Sequence, residues 1–174
     1  STAEVIENAS ISTVVYNAEA TDNGGAVDAG ISYSLSATDA SAFDIVAETG
    51  VVTLKASADY ETKASYSINV IATDGSGNSA TQAITITVTD LNESPIAISL
   101  SSSSIDENSP GAIVGTLSTT DVDSGDSHTY ALSGTDKDSF EIVGGQLKLK
   151  DSVSADYETK SSYAVTVTAT DSGG

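Results

Sequence analysis

The chain has 174 residues, and 25 acidic residues against 6 basic ones give it a net charge of −19 and a pI near 4.1. That balance excludes nucleic acid as a partner, because nothing here could neutralise phosphates, and it works against an anionic membrane surface. Cysteine is absent, which excludes a disulfide framework, a thiolate metal site and a thiol nucleophile.

Hydrophobic residues make up 39% of the chain, but Trp and Met are absent and aromatics reach only 5%, so the core must be built from Val, Ile, Leu and Ala with a few Tyr and Phe. From the N-terminus onward, short runs alternate apolar with polar residues: Tyr33–Leu35, Phe43–Ile45, Val52–Leu54, then Tyr66, Ile68, Val70 and Ala72, then Ile84, Ile86 and Val88. After the segment Thr89–Pro95 ("TDLNESP") comes a further strand in "PIAISL", and later Tyr163, Val165, Val167 and Ala169 repeat the alternation. Period-two runs rich in β-branched residues and separated by Gly, Asn, Asp or Ser predict antiparallel strands of a sandwich. No window carries a convincing helical stripe, and no apolar run reaches membrane-spanning length.

The chain repeats itself. "SATDASAFDIV" at Ser36–Val46 returns as "SGTDKDSFEIV" at Ser133–Val143, and "SADYETKASYSINVIATD" at Ser57–Asp74 returns as "SADYETKSSYAVTVTATD" at Ser154–Asp171, each 97 residues later. "IEN" at Ile6–Asn8 matches "DEN" at Asp106–Asn108, 100 residues on. A period just under 100 residues is one β-sandwich per repeat. The expected domains are 1–93 and 94–174. The first lacks the opening strand that precedes Glu107 in the second, and the second lacks the closing strand "SATQAITITVTD" of the first. The expectation is a window cut from a longer array, with unpaired sheet edges that a neighbouring molecule could fill.

The acids recur at set places: Glu7, Asp59 with Glu61, Asp74, Asp90 with Glu93, and then Glu107, Asp121 with Asp123, Asp156 with Glu158, and Asp171. In a sandwich, residues beside turns gather at the two ends of the domain. Read as extended chain, "DYE" and "DVD" each place two carboxylates on one side. An all-oxygen set suits calcium, which takes six to eight oxygen ligands in irregular geometry. Transition metals would want His or Cys, and the chain has one His.

These motifs together resemble the calcium-binding repeat of cadherin ectodomains, in a bacterial cadherin-like form. The matches are the acid-Asn near the repeat start, the Asp-x-Glu of "DYE", the linker Asp-x-Asn-acid, the Asp-x-Asp of "DVD" and the "ATD" before the last strand, found across essentially the whole chain. The resemblance implies two Greek-key, immunoglobulin-like sandwiches in tandem, each short of one terminal strand. It also implies a calcium junction: Glu7, Asp59 and Glu61 from the base of the first repeat, Asp90, Asn92, Glu93 and the Leu91 carbonyl from the linker, and Asp121, Asp123 and Asp171 from the top of the second. Such a junction holds up to three Ca2+ ions. This linker has Glu93 and Ser94 where the family pattern has Asp-Asn, and it is one residue shorter before Pro95. At the poles weaker sites are expected, because Gly24 stands where the second repeat has Asp123 and leaves Asp22 with Asp74 a poor half-site. Glu107, Asp156 and Glu158 have no linker to complete them. Asp126 either adds a ligand or caps a turn.

Eight carboxylates at one joint repel by about 1–3 kcal/mol per pair at ~6 Å, so the joint should flex without calcium and stiffen with it. His128 is expected to pack or to hold a turn, since one His supports no catalytic triad. Gly24–Gly25 and Gly144–Gly145 are expected turn glycines, and Asp126 at the sixth position rules out an EF-hand loop, which needs Gly there. Asn8 and Asn92 lie in N-x-Ser sequons, and sugar on Asn92 would compete with a ligand role. Tyr16, Tyr33 and Tyr66 read as core. The expected function is calcium-rigidified extension and adhesion on a bacterial cell surface or in a secreted protein, partnered by neighbouring repeats, with homophilic or surface-polysaccharide contacts and no membrane insertion. Strand exchange through an N-terminal Trp is not implied, since the chain has none. Two rival classes are a carbohydrate-binding module, which needs an exposed aromatic platform, and a carboxylate-pair glycosidase, which needs a cleft that such regular strands do not provide.

Overall fold

A computed structural model describes residues 1–21 and 30–173. Asp22, Gly24 and Gly25 lie outside the described residues. The chain divides into two compact units, Ser1–Leu91 and Asn92–Gly174, and both are all-β apart from one 3-10 turn each.

In the first unit the strands are β1 (Thr2–Ile6), β2 (Val14–Asn17), β3 (Ser32–Ser36), β4 (Phe43–Ile45), β5 (Val51–Leu54), β6 (Ser65–Thr73) and β7 (Ser79–Thr89). They form one sheet in the order β1-β7-β6-β3 and a second in the order β2-β5-β4. The runs predicted for this unit are all present, whereas of the later run only Val167 and Ala169 lie in a strand, Tyr163 and Val165 preceding it. β7 alternates as the sequence says, with Ile84, Ile86 and Val88 at most 2% exposed and the threonines between them facing out. These side chains meet Phe43, Val52, Leu54, Ile68 and Val70 in one core, against which Tyr16 and Tyr66 pack; Tyr33 is buried within it. One element was not read from the sequence. The residues just before Glu7 form β1, which runs parallel to β7 with Val5 opposite Val88.

The second unit contains β8 (Ala97–Leu100), β9 (Ile113–Thr120), β10 (Thr129–Ser133), β11 (Phe140–Val143), β12 (Gln146–Leu149) and β13 (Thr166–Thr170). Its sheets are β11-β12-β9-β8 and the two-stranded β10-β13. Among the described residues the first unit has no counterpart of β8, and the second none of β1 or β7. The hairpin between β11 and β12 turns on Gly144 and Gly145 at φ of 58° and 77°, as a two-residue turn with both centres left-handed requires. The same aromatic pair anchors both cores, Phe43 edge-on to Tyr66 with ring centroids 5.3 Å apart and Phe140 edge-on to Tyr163 at 5.5 Å.

Candidate metal centre

Glu7 continues the inward face of β1, two residues after buried Val5, and is itself only 2% exposed. The chain then turns at Asn8, whose φ of 57° lies in the left-handed region that Asn tolerates, and the Asn8 N–H donates to the Ala58 carbonyl at 2.9 Å. Asn108 repeats this, with φ of 61° and its N–H on the Ala155 carbonyl. The Asn of the acid-Asn motif therefore makes the turn, and the acid points inward from it. A buried carboxylate needs donors. Glu7 accepts the Tyr60 N–H on Oε2 at 3.0 Å and the Leu91 N–H on Oε1 at 2.6 Å, so Leu91 engages the site through its amide as well.

The "DYE" segment is a turn over Tyr60–Thr62, not the extended stretch the spacing suggested. Asp59 closes it, taking the Thr62 N–H at 2.8 Å and the Thr62 hydroxyl at 2.9 Å, while the Lys63 N–H donates to the Asp59 carbonyl. A short polar side chain that bonds its own backbone ahead favours this turn over a strand. The carboxylates nonetheless converge: one oxygen each from Glu7, Asp59 and Glu61 lie within 4.8 Å of one another. Asp156, Glu158 and Glu107 form the equivalent cluster in the second unit, with Thr159 bonding Asp156 in the same way. There Glu107 is exposed and accepts the Tyr157 N–H at 3.0 Å.

In the second unit Glu93, Asp123 and Asp121 form a hydrogen-bonded chain. The Glu93 N–H donates to Asp123 Oδ2 at 2.7 Å, and the Asp123 N–H donates to Asp121 Oδ1 at 3.3 Å. "DVD" is thus a bend closed by its first Asp, again not extended. His128 Nε2 sits 2.8 Å from Asp121 Oδ2, and the two side chains are 13% and 4% exposed. That hydrogen bond holds the Asp121 carboxyl below the usual carboxylate range. His128 thus takes the turn role expected of it, but its partner is a candidate ligand. Nothing in the local sequence marks that pairing, which forms only when the loop folds back. Asp171, 7% exposed, receives the Gly173 N–H at 2.8 Å. Gly173 is packed against Asn92 so closely that a Cβ there would lie 2.3 Å from the Asn92 side chain. The Asn92 amide donates to the Glu93 carbonyl at 3.2 Å.

Each unit therefore assembles its own acidic set, Glu7, Asp59 and Glu61 in the first and Glu93, Asp121, Asp123 and Asp171 in the second. The donors are oxygens of carboxylates and backbone, the chemistry of a hard cation. One further feature of the second set fits a cation: Asp126 Oδ2 is buried with no hydrogen-bond partner, which costs about 1–3 kcal/mol as it stands. By contrast Asp74 spends both oxygens on its own hairpin, taking the Ser76 and Asn78 N–H groups on Oδ1 and the Asn78 amide on Oδ2. The hydrogen bonds from Asn78 hold Asp74 below the usual carboxylate range, as a turn-forming group rather than a ligand.

The chain matches the Cadherin domain family over residues 1–89 and 101–174. It is 33% identical over 178 aligned residues to Protocadherin gamma-A11 of Homo sapiens, covering 97% of this chain and 19% of that protein; the Pan troglodytes protein of the same name matches equally. Among solved structures, Drosophila N-cadherin EC1-4 superposes with a TM-score of 0.80 at 30% identity, covering 99% of this chain and 44% of that one. PcdhgB3 EC1-4 gives the same four figures. The chain thus spans 19% of the length of the curated relatives named here. Cadherin domains are extracellular adhesion modules and not enzymes, which sets the glycosidase reading aside. Two sandwiches with an acidic set at the end of each, matched across nearly their whole length, make this chain a member of the cadherin domain family.

Proposed function

We propose that the two repeats form a calcium-stiffened spacer that extends and presents a larger adhesive protein. In this reading Glu7, Asp59, Glu61, Asp90 and the Leu91 carbonyl from the first unit share up to three Ca2+ ions with Asn92, Glu93, Asp121, Asp123 and Asp171 from the second. What supports it most is the convergence of Glu7, Asp59 and Glu61 within 4.8 Å around a carboxylate that the linker amide of Leu91 also holds. Three carboxylates this close, with one of them buried, repel one another in the absence of a counter-ion. Calcium would supply the missing positive charge, and the hydrogen bonds already in place would hold the oxygens ready for it. Taking Asn92 and Glu93 as the hinge of the joint keeps the repeat boundary at residue 93.

The sites at the poles are proposed to be weaker. Asp74 is committed to its hairpin, and Glu107 has one hydrogen-bond donor where Glu7 has two. Neighbouring repeats of the same array are the first proposed partners, and contact with another copy is the second: a fragment of protocadherin gammaB7, 29% identical to this chain, is described as a cis-dimer. A bacterial host is a finer proposal that rests on the sequence resemblance alone, since the relatives named above are animal proteins. A carbohydrate-binding role finds no support among them. The test is a calcium titration by calorimetry. Saturable binding in the 0.1–1 mM range typical of extracellular modules or tighter, lost in Asp90→Ala, is the expected outcome. Heat indistinguishable from dilution would leave the acids as solvated surface.

A further inference from the structure

The turn that carries Asp59 and Glu61 closes on Lys63, whose N–H donates to the Asp59 carbonyl at 2.9 Å. Lys63 is one of 6 basic residues in the chain and follows Glu61 by two positions. Its ammonium nonetheless pairs with an acid outside the cluster of Glu7, Asp59 and Glu61. It lies 2.5 Å from Asp39 Oδ1 and 5.0 Å from the centroid of the Tyr66 ring. A pair standing free in solvent would hold little, but the Asp39 side chain is only 14% exposed.

Asp39 is anchored in turn to the sheet. β3 ends at Ser36 opposite Asn69, and beyond that end Asp39 continues the pairing with β6 by itself. Its N–H donates to the Ser67 carbonyl at 3.4 Å, and its Oδ2 accepts the Ser67 N–H at 2.8 Å. Tyr66, beneath the ammonium, packs edge-on to buried Phe43. One lysine therefore ties the acidic turn to β6 and to the core. The second repeat builds the same brace. The Lys160 N–H donates to the Asp156 carbonyl at 2.8 Å, and the ammonium pairs with Asp136 and lies 5.0 Å from the Tyr163 centroid. Asp136 bonds Ala164 through both its N–H and its Oδ2. There residues 162–165 lie outside any strand, so the brace goes with the acidic turn and not with the strand that follows it in the first repeat.

One oxygen each from Glu7, Asp59 and Glu61 lie within 4.8 Å of one another, so their mutual repulsion pushes the turn outward. We propose that Lys63 is a positioning residue of the cation site: through Asp39 it holds the turn of Asp59 and Glu61 in its binding geometry without touching the ion. This rests on the calcium reading above. A turn already held in place loses less freedom on binding, which raises affinity. The two roles open to Lys63 differ in sign. As a bare positive charge two residues from Glu61 it would oppose a cation, and its removal would tighten binding. As a brace, its removal weakens binding.

The test titrates calcium by calorimetry into the whole 174-residue chain, unsubstituted and as Lys63→Met and Lys63→Arg, with thermal melts of each in chelator. Lys63→Met should bind calcium about tenfold more weakly, the lower end of what loss of a supporting partner costs a metal site. Lys63→Arg, which keeps a cation within reach of Asp39 and over Tyr66, should recover most of that loss. A lower melting temperature in chelator with unchanged calcium affinity would overturn the proposal in favour of a purely structural pair. Tighter binding in Lys63→Met would overturn it in favour of a bare charge. Absence of calcium binding by the unsubstituted chain would overturn the calcium reading itself, and this inference with it.

Discussion

The two repeats are an internal experiment in which near-identical segments meet different surroundings. Where β7 is present, thirteen of the described residues form a closed buried core; without a counterpart, the buried cluster of the second repeat is Phe140, Leu147, Leu149 and Ala155. The same difference reaches the acids. Glu7 is buried and held by two amides, whereas Glu107, in the same motif, is exposed and held by one. A strand is thus a property of the pair rather than of its sequence, and the carboxylate of the acid-Asn motif is buried and doubly held where the Leu91 amide reaches it.

The largest expected effect tests the cores. Phe43→Ala removes a ring that is 2% exposed within a closed core and should cost about 3–5 kcal/mol. Phe140→Ala borders an open cleft, where water already reaches the neighbouring surface, and should cost clearly less; urea unfolding of each variant reads the gap. Equal losses would mean that the second core is as closed as the first.

Next come the two glutamates. Glu7→Ala strands the Tyr60 and Leu91 N–H groups, at roughly 1–3 kcal/mol for each that stays buried, even without calcium. Glu107→Ala should cost under about 1 kcal/mol, as surface changes do, so thermal melts in chelator should separate the two variants.

The glycines sharpen the comparison at the hairpins. Gly50 has φ of 72°, and a Cβ there would meet the Ala18 carbonyl oxygen at 2.7 Å; Gly145, at 77°, has open space around it. Gly145→Ala should cost about 1–2 kcal/mol for the left-handed backbone alone. Gly50→Ala should cost more than that, because backbone must also move.

The smallest effect is in acid. Hydrogen bonds from Lys63 and Lys160 hold Asp39 and Asp136 below the usual carboxylate range. The stability they add is therefore fully present above that range and is lost as pH falls through the lowered values. Asp136 also accepts the Ala164 N–H at 2.7 Å, steadying the segment that lacks a strand partner. On acidification, amide exchange at Ala164 should rise before that at its counterpart Ser67, which sits within β6.

Much of this was legible in the sequence because it is local or periodic: the repeat, the inward faces of β6 and β7, the Gly144–Gly145 turn, and the acids at strand ends. What was not legible depended on folding back. "DYE" and "DVD" read as extended from spacing alone, but Asp59 and Asp121 bond the backbone ahead of them and close turns. β1 exists because β7 lies beside it, and the hydrogen bond between His128 and Asp121 spans a loop whose path no periodicity encodes. Glu7 was legible as a candidate ligand, while its burial follows from the inward register that it shares with Val5.

The most direct test of the central claim is small-angle scattering of the whole chain in chelator and in 2–5 mM calcium, a range chosen to exceed the roughly 0.1–1 mM affinities of extracellular modules. A particle that becomes longer and narrower in its distance distribution with calcium, and that fails to do so in Asp90→Ala, is the predicted result. Identical profiles in the two conditions, with calcium shown by calorimetry to be bound, would contradict a calcium-stiffened joint.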